Sequence, residues 1–99
     1  MVRMFDTKTP PDLARDVGAR LRDLRLQRNM TQIDLARRAG VSRPTIGSLE
    51  RRGQGTIETL ARVLYVLGRE RELEALLAPD PPSTLEDLSR RKKRERARP

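Results

Sequence analysis

The sequence predicts an all-α protein, and three observations support this prediction. Apolar residues recur every three or four positions along most of the chain, as they do on one face of a helix. Leucine and arginine dominate and β-branched residues are few, a balance that favours helices over strands. The 99 residues are 35% apolar and include only two aromatic residues, Phe5 and Tyr65, so the sequence predicts one small aliphatic core.

Charge points to a polyanionic partner. The formal net charge is +8 and the sequence pI is about 11.3, which predicts attraction to nucleic acid or to an acidic membrane without choosing between them. Residues 90–99 contain seven Arg or Lys and one Glu, so +6 of this charge lies in a C-terminal tail. A second cluster of arginines lies in the middle of the chain: Arg37, Arg38, Arg43, Arg51 and Arg52.

The composition argues against several classes of protein. No cysteine or histidine is present, which excludes disulfides and metal sites built on these residues and removes the usual general base. We therefore expect no enzyme, no metal and no cofactor. The N-terminus is too short and polar for a signal peptide and no apolar run could span a membrane, so the expected location is cytoplasmic.

The first elements are an N-terminal segment and a long helix. Residues 1–8 are either an arm that packs on the domain or on a partner, or a frayed terminus. Thr9 is predicted to cap a helix that begins at Pro10, runs to about Arg28 and ends where Asn29 can turn left-handed. Its predicted buried stripe is Leu13, Val17, Leu21 and Leu24. Its predicted outer face carries Arg15, Arg20, Arg22, Arg25 and Arg28.

The stretch Gln32–Arg51 predicts two short helices joined by a tight corner. Thr31 can cap the first helix, and the corner requires a positive φ at Gly40, which glycine adopts at low cost. Ser42 can cap the second helix, in which Pro44 falls in the first turn, where a missing N–H is harmless.

The second of these helices is predicted to have two distinct faces. Ile46 and Leu49 lie three residues apart and share the buried face. The opposite face presents residues spaced three or four apart: Arg43, Pro44, Gly47, Ser48 and Arg51. The alternative is a helical hairpin that buries its apolar residues and binds nothing.

These two helices resemble the helix-turn-helix of the Xre family, the group of the lambdoid phage repressors and Cro proteins. The matching residues are Thr31-Gln32, Leu35-Ala36, Gly40-Val41-Ser42, Thr45-Ile46 and Leu49-Glu50. The resemblance runs from about Val17 to Gly68 and implies a five-helix, phage-repressor-like domain, which we place at residues 9–78. It also implies that the second motif helix enters the major groove of double-stranded DNA.

The base-contacting candidates are Gln32, Arg43, Pro44, Gly47 and Ser48. Arg43 can bind guanine through two hydrogen bonds, Ser48 can contact various bases, and Pro44 can touch a thymine methyl. Gly47 would let the backbone approach closely. The family's Gln at the position of Gln32 braces the backbone or the first base contact.

The phosphate-contacting candidates are Thr31, Ser42, Thr45, Arg51, Arg52 and Gln54. Glu50 is interpreted as a structural residue that pairs with a nearby arginine. The Gly53-Gln54-Gly55 loop is shorter than in most members of the family and lacks their proline.

Two further helices are predicted after this loop. Thr56 caps the first, whose predicted buried stripe is Ile57, Leu60, Ala61, Leu64 and Leu67, and Gly68 ends it. The second is predicted at Arg69–Leu77. In the family this region commonly forms the dimer interface, which implies a homodimer with the interface residues Tyr65, Leu73, Leu76 and Leu77; Tyr65 is otherwise interpreted as a residue at the edge of the core.

Residues 79–99 are predicted to be a proline-rich spacer and a basic tail. Ser83–Glu86 matches a capping box, which predicts a short helix that extends at least to Arg91. The tail is a candidate phosphate-binding arm, a solvated run of charge, or a contact for an acidic protein partner.

The leading hypothesis is a dimeric autorepressor that reads a palindromic operator. The alternative is an antitoxin or bridging protein whose main role is to bind a protein partner, such as a toxin kinase, with DNA binding secondary. The RRGQGTIETLARVL segment followed by a Pro-rich, then Arg-rich tail resembles antitoxins of the HipB type.

Overall fold

A computed structural model describes residues 7–82 and residue 90, and the described part contains helices and no strand. The five helices are α1 (Pro10–Gln27), α2 (Gln32–Ala39), α3 (Arg43–Arg52), α4 (Ile57–Val66) and α5 (Glu70–Ala75). The predicted all-α fold class is confirmed. None of the described helices is long and apolar enough to cross a membrane.

The four caps predicted for α1 to α4 are confirmed. The side chains of Thr9, Thr31, Ser42 and Thr56 each accept a hydrogen bond from a backbone N–H in the first turn of the helix that follows. At Thr9 and Thr31 the bond is reciprocal, because the carboxylates of Asp12 and Asp34 accept from the threonine backbone N–H. These backbone hydrogen bonds lower the pKa of both carboxyl groups.

The core lies where α1 to α4 meet, and its four most buried large side chains are Leu35, Ile46, Val63 and Leu67. Leu21, Met30, Leu49 and Leu64 complete the layer with small alanines from α2. Ile46 and Leu49 thus hold α3 from behind, as predicted.

The predicted stripe of α1 is only half correct. Leu21 is buried, but Leu13 is 54% exposed and Val17 is 43% exposed. Gly18 faces α3 so closely that a Cβ there would overlap the Leu49 carbonyl oxygen. The backbone of Gly18, which has no side chain, therefore contacts α3 directly. The face of α1 that carries Leu13 and Val17 points away from the core.

The ends of α1 and α2 follow the predicted turns. α1 ends at Gln27 with Arg28 as its cap, and Asn29 takes the left-handed conformation with φ 55°. Gly40 has φ 71°, and the Val41 backbone N–H returns to the Ala36 carbonyl at 3.0 Å. This geometry sets the corner between α2 and α3.

Two expectations for the C-terminal helices are wrong. Ile57 is 78% exposed, because it is the first residue of α4 and lies at the end of the helix beyond the core. Tyr65 is 73% exposed and therefore lies outside the core edge, on the solvent side of α4.

α5 is shorter than the predicted Arg69–Leu77. It ends at Ala75, after which Leu76 is extended and Leu77 takes a φ of 58°. Leu73 packs partly against the core, whereas Leu76 and Leu77 are exposed. The predicted Ser83–Arg91 helix lies outside the described residues except for Arg90, which is helical.

Candidate nucleic-acid interface

α3 presents a polar face to solvent and an apolar face to the core. Arg43 and Pro44 are exposed and Gly47 and Ser48 are half-buried, whereas Ile46 is fully buried. The chain brings these four candidate base-contacting residues together along one side of a single helix. A helix held in this way matches the width of a DNA major groove.

Two hydroxyl groups mark the start of α3. The Ser42 Oγ atom accepts from the Thr45 backbone N–H at 3.2 Å, and the two hydroxyl oxygens lie 2.7 Å apart. One hydroxyl donates to the other, which leaves one O–H of the pair free to turn outward. Such a pair at a helix N-terminus suits a phosphate oxygen.

A buried ionic network supports the inner side of α3. Glu50 is 4% exposed and Arg25 is 5% exposed. The Arg25 Nε and Nη2 atoms donate to the two oxygens of Glu50 at 2.7 and 3.0 Å, which is a two-point, fork-like contact. The remaining donor, Nη1, binds the Met30 carbonyl at 2.7 Å, so α1, α3 and the α1–α2 turn are joined.

The prediction for Glu50 is confirmed, whereas the placement of Arg25 on the outer face of α1 is wrong. The sequence did contain a signal for Arg25. Gly18, Leu21 and Arg25 are spaced by three and four residues, so they share the face that meets α3. The apolar stripe of Leu13, Val17, Leu21 and Leu24 is a stronger hydrophobic pattern, and it places Arg25 on the opposite, solvent-exposed face.

Gln32 extends this network toward the outer surface. Its Nε2 atom donates to the Glu50 Oε1 atom at 3.0 Å, which fixes the side chain at the start of α2 beside α3. A Cβ placed on Gly47 would have the Gln32 Oε1 atom as its nearest neighbour, at 4.0 Å. The amide carbonyl of Gln32 therefore lies close to the surface of α3 that carries the base-contacting candidates.

A side chain of α4 stabilises the corner between α2 and α3. The Arg62 Nη1 atom donates to the Ala39 carbonyl at 3.4 Å, and the other end of that guanidinium pairs with Glu58 at 2.9 Å. A hydrogen bond from another helix restricts the angle between α2 and α3, which sets how far α3 projects.

The remaining phosphate candidates lie at the start of α2 and at the C-terminal end of α3. Thr31 is exposed at the start of α2, and Arg51, Arg52 and Gln54 are exposed at the end of α3. Gly53, with φ 64°, lies between Arg52 and Gln54. A Cβ on Gly53 would overlap the Ala14 carbonyl of α1. The positions of Arg52 and Gln54 are thus tied to α1 through a backbone-to-backbone contact.

A family model for the helix-turn-helix domain of the Xre/Cro/CI type matches residues 21–72, more than half of the chain. The chain belongs to this Xre-type helix-turn-helix family. Members of the family are DNA-binding transcription regulators, and this chain is assigned that general role. No curated protein and no solved structure matches the chain significantly. The matched segment contains α2, α3 and α4 whole and begins part-way along α1, so residues 10–20 lie outside it.

Proposed function

We propose that this member of the Xre-type family is a dimeric, sequence-specific repressor that reads a palindromic operator. α3 would lie in the major groove with Arg43 at its leading end. The observation that carries the proposal is the division of α3 into a buried, ion-paired side and an exposed side with Arg43 and Pro44.

Base contacts are assigned to Gln32, Arg43, Pro44, Gly47 and Ser48. The exposed guanidinium of Arg43 can donate two hydrogen bonds to guanine, the commonest base-specific contact of arginine. Gly47 has no side chain, and a Cβ there would meet only the Gln32 Oε1 atom, at 4.0 Å, so the helix backbone can come close to the base edges beside Gln32. Gln32 commits one amide donor to Glu50, and its carbonyl and second N–H stay available to the DNA.

Phosphate contacts are assigned to Thr31, Ser42, Thr45, Arg51, Arg52 and Gln54. The hydroxyls of Thr31, Ser42 and Thr45 lie at the N-termini of α2 and α3, where backbone N–H groups and the helix dipole favour an anion. Such contacts set the register on the duplex and carry no sequence information themselves.

The dimer interface is assigned to Tyr65, Leu73, Leu76 and Leu77. Leu76 and Leu77 are 60% and 91% exposed at the end of α5, and a pair of adjacent exposed leucines is costly in water. A dimer that reads a palindromic site must present its two α3 helices to successive major grooves, about 34 Å apart.

The decisive experiment is selection of bound duplexes from random DNA, followed by binding assays with Arg43→Ala. We expect the selected site to be a palindrome and Arg43→Ala to lose about 1–3 kcal/mol of discrimination per half-site. Arg20→Ala, which changes an exposed arginine on α1, is the control and should bind as the wild type does. Selection of no preferred sequence would contradict the proposal.

A second candidate function, capture of a protein partner, is favoured by a groove between α2 and α4. The groove has a volume of about 310 Å³ and is lined by Ala39, Ala61 and Val66 between Arg38 and Arg62, with Tyr65 at its side. An exposed tyrosine beside apolar groups is typical of protein interfaces. Ala61→Arg should fill this groove and prevent co-purification with a toxin partner, while circular dichroism shows the fold unchanged.

A further inference from the structure

A second groove lies at the C-terminal end of α3, away from Arg43. It has a volume of about 440 Å³ and opens between the first turns of α1 and the loop after α3. Its walls are the two prolines that begin α1 together with Ala14, Arg15, Arg52, Gly53 and Gln54. Two guanidinium groups and one amide therefore surround a single concave surface.

The two walls of this groove are fixed relative to one another. Gly53 packs so closely on α1 that even a Cβ would overlap the Ala14 carbonyl. On the α1 side, the Arg15 Nη2 atom donates to the Asp12 Oδ1 atom at 2.5 Å, and the other oxygen of Asp12 accepts from the Thr9 backbone. Asp12 thus orients Arg15 at the rim and occupies only part of a guanidinium that has five N–H donors.

The side chains, and not the helix terminus, would supply the donors for an anion here. Pro10 and Pro11 occupy the first turn of α1, and proline has no backbone N–H to offer. Arg15, with its side chain 54% exposed, and Arg52, also exposed, carry the positive charge. Guanidinium groups are suited to a phosphate because their paired N–H donors match its oxygens.

The length of α3 indicates where this groove would lie relative to bound DNA. A helix of 10 residues is about 15 Å long, whereas the major groove is about 12 Å wide. If the Arg43 end of α3 contacts bases, as the N-terminal residues of a recognition helix do, the Arg52 end lies nearer the sugar-phosphate backbone. The groove beside Arg52 then faces a phosphodiester outside the bases that α3 reads.

We propose that this groove is a phosphodiester-binding subsite in which Arg15 of α1 acts together with Arg52 and Gln54. The proposal depends on the proposed placement of α3 in DNA and extends it. Arg15 lies outside the family-matched residues 21–72, so the first half of α1 adds a contact that the shared domain does not supply. The subsite contributes affinity and register, and it has no sequence preference of its own.

The first test is the salt dependence of binding for full-length protein with duplex DNA selected by the wild type and with a scrambled duplex. Arg15→Gln is expected to weaken binding to both duplexes by the same factor. It should also reduce the slope of log K against log salt by about 0.9, the value for one phosphate contact. Arg15→Lys should keep the wild-type slope, since it preserves the charge. Circular dichroism melts of each variant establish that the fold is unchanged.

The matched control is Arg20→Gln. Arg20 is also exposed on α1, but it lies two residues beyond Gly18 and so about 200° around the helix from the face that meets α3. It should leave the slope unchanged. An equal decrease with Arg20→Gln would overturn the proposal, because it would mean that charge anywhere on α1 acts through its long-range field.

The second test locates the phosphate. Single phosphates of the selected duplex are replaced, one at a time, by neutral methylphosphonates. One substitution should weaken the wild type and have no further effect on Arg15→Gln. If every substitution weakens Arg15→Gln as much as the wild type, Arg15 contacts no phosphate and the proposal is wrong.

Base reading by α3 and phosphate binding by the subsite can be refuted separately. A wild type that binds selected and scrambled DNA equally would refute sequence-specific reading by α3. A wild type with clear sequence preference whose salt slope is unaffected by Arg15→Gln would refute only the subsite.

Discussion

The Arg25 Nε atom lies 2.7 Å from the Glu50 Oε2 atom, and the two side chains are 7% and 1% exposed. This pair joins α1 to the last turn of α3 inside an otherwise aliphatic core. No buried side-chain N or O atom in the described part of the chain lacks a hydrogen-bond partner. The pair is therefore fully satisfied, and removal of one member leaves a buried charge without compensation.

We expect Glu50→Ala to lower the free energy of unfolding by about 3–5 kcal/mol, because it strands the Arg25 guanidinium in the core. Urea denaturation at neutral pH measures this. Glu58→Ala is the control, since its pair with Arg62 is exposed and should cost less than about 1 kcal/mol. Equal losses would show that burial of the Arg25–Glu50 pair is not what matters.

Where Glu50→Ala does not fold, the double variant Arg25→Met/Glu50→Leu keeps the prediction testable. It replaces both charges by apolar side chains of similar size. Such replacements of buried pairs are often neutral or stabilising, so the double variant should fold and be more stable than the single one.

Gly53→Ala and Gly68→Ala should differ in stability although both glycines have positive φ, 64° and 73°. At Gly68 a Cβ meets nothing within 4 Å, so the cost is that of the left-handed conformation alone, about 1–2 kcal/mol. At Gly53 the Cβ also collides with the Ala14 carbonyl, and the loss should be larger. Thermal unfolding of both variants checks this, and a smaller loss at Gly53 would contradict the contact with α1.

Acid should weaken the domain through its two capping carboxylates. Hydrogen bonds from Thr9 and Thr31 lower the pKa of Asp12 and Asp34 in the folded state. Their stabilising effect is then complete above the unfolded pKa of about 3.9 and is lost as pH falls through the lower, folded pKa.

The double variant Asp12→Asn/Asp34→Asn should therefore show a shallower loss of stability below about pH 4 than the wild type. Urea unfolding across the acid range provides the measurement. Asp23→Asn, in the middle of α1 and at no helix start, should retain the wild-type profile. If the double variant and the wild type lose stability identically as the pH falls, the capping carboxylates are not the cause of the acid sensitivity.

The proposed dimer predicts that Leu77→Glu dissociates it without unfolding the monomer, because Leu77 is 91% exposed. Sedimentation velocity should show a shift from dimer to monomer, with DNA affinity reduced in parallel. Leu13→Glu tests another exposed apolar residue, 54% exposed on α1, and should leave the dimer intact. Dissociation by Leu13→Glu alone would place the interface on α1.

Truncation after Ser89 removes the basic residues of the tail. If these residues bind phosphates, affinity for all duplexes should fall by a similar factor. The salt slope should also decrease by about 0.9 for each phosphate that the truncated protein no longer neutralises. Binding titrations at several salt concentrations measure both quantities. A slope that matches the full chain would leave the tail without a phosphate role.

The helix boundaries of the middle of the chain could be predicted because local rules determine them. Thr31, Gly40 and Ser42 act through bonds to their immediate neighbours, and Ile46 and Leu49 lie three apart on one helix. Spacing and residue type are sufficient for such features. The prediction of Glu50 as a paired, structural residue succeeded for the same stretch.

The predictions failed where the outcome depends on residues distant in sequence. Whether Leu13 or Gly18 faces α3 depends on how closely two helices approach, and a glycine gives no hydrophobic signal. The partner of Glu50 lies 25 residues away on α1, and an arginine there is normally expected in solvent. The extent of α5 was overestimated because Leu76 and Leu77 fit the apolar pattern but contribute little to the core.

The two sides of α3 can be changed independently, which makes the domain suitable for reprogramming. Under the proposed function, substitutions at Arg43, Pro44 and Ser48 would alter the preferred operator and leave the scaffold intact. Grafting a complete foreign helix would instead discard Ile46, Leu49 and Glu50, and with them the attachment to α1. A library restricted to the outward positions should therefore yield folded proteins with new targets, whereas whole-helix exchange should mostly yield misfolded ones.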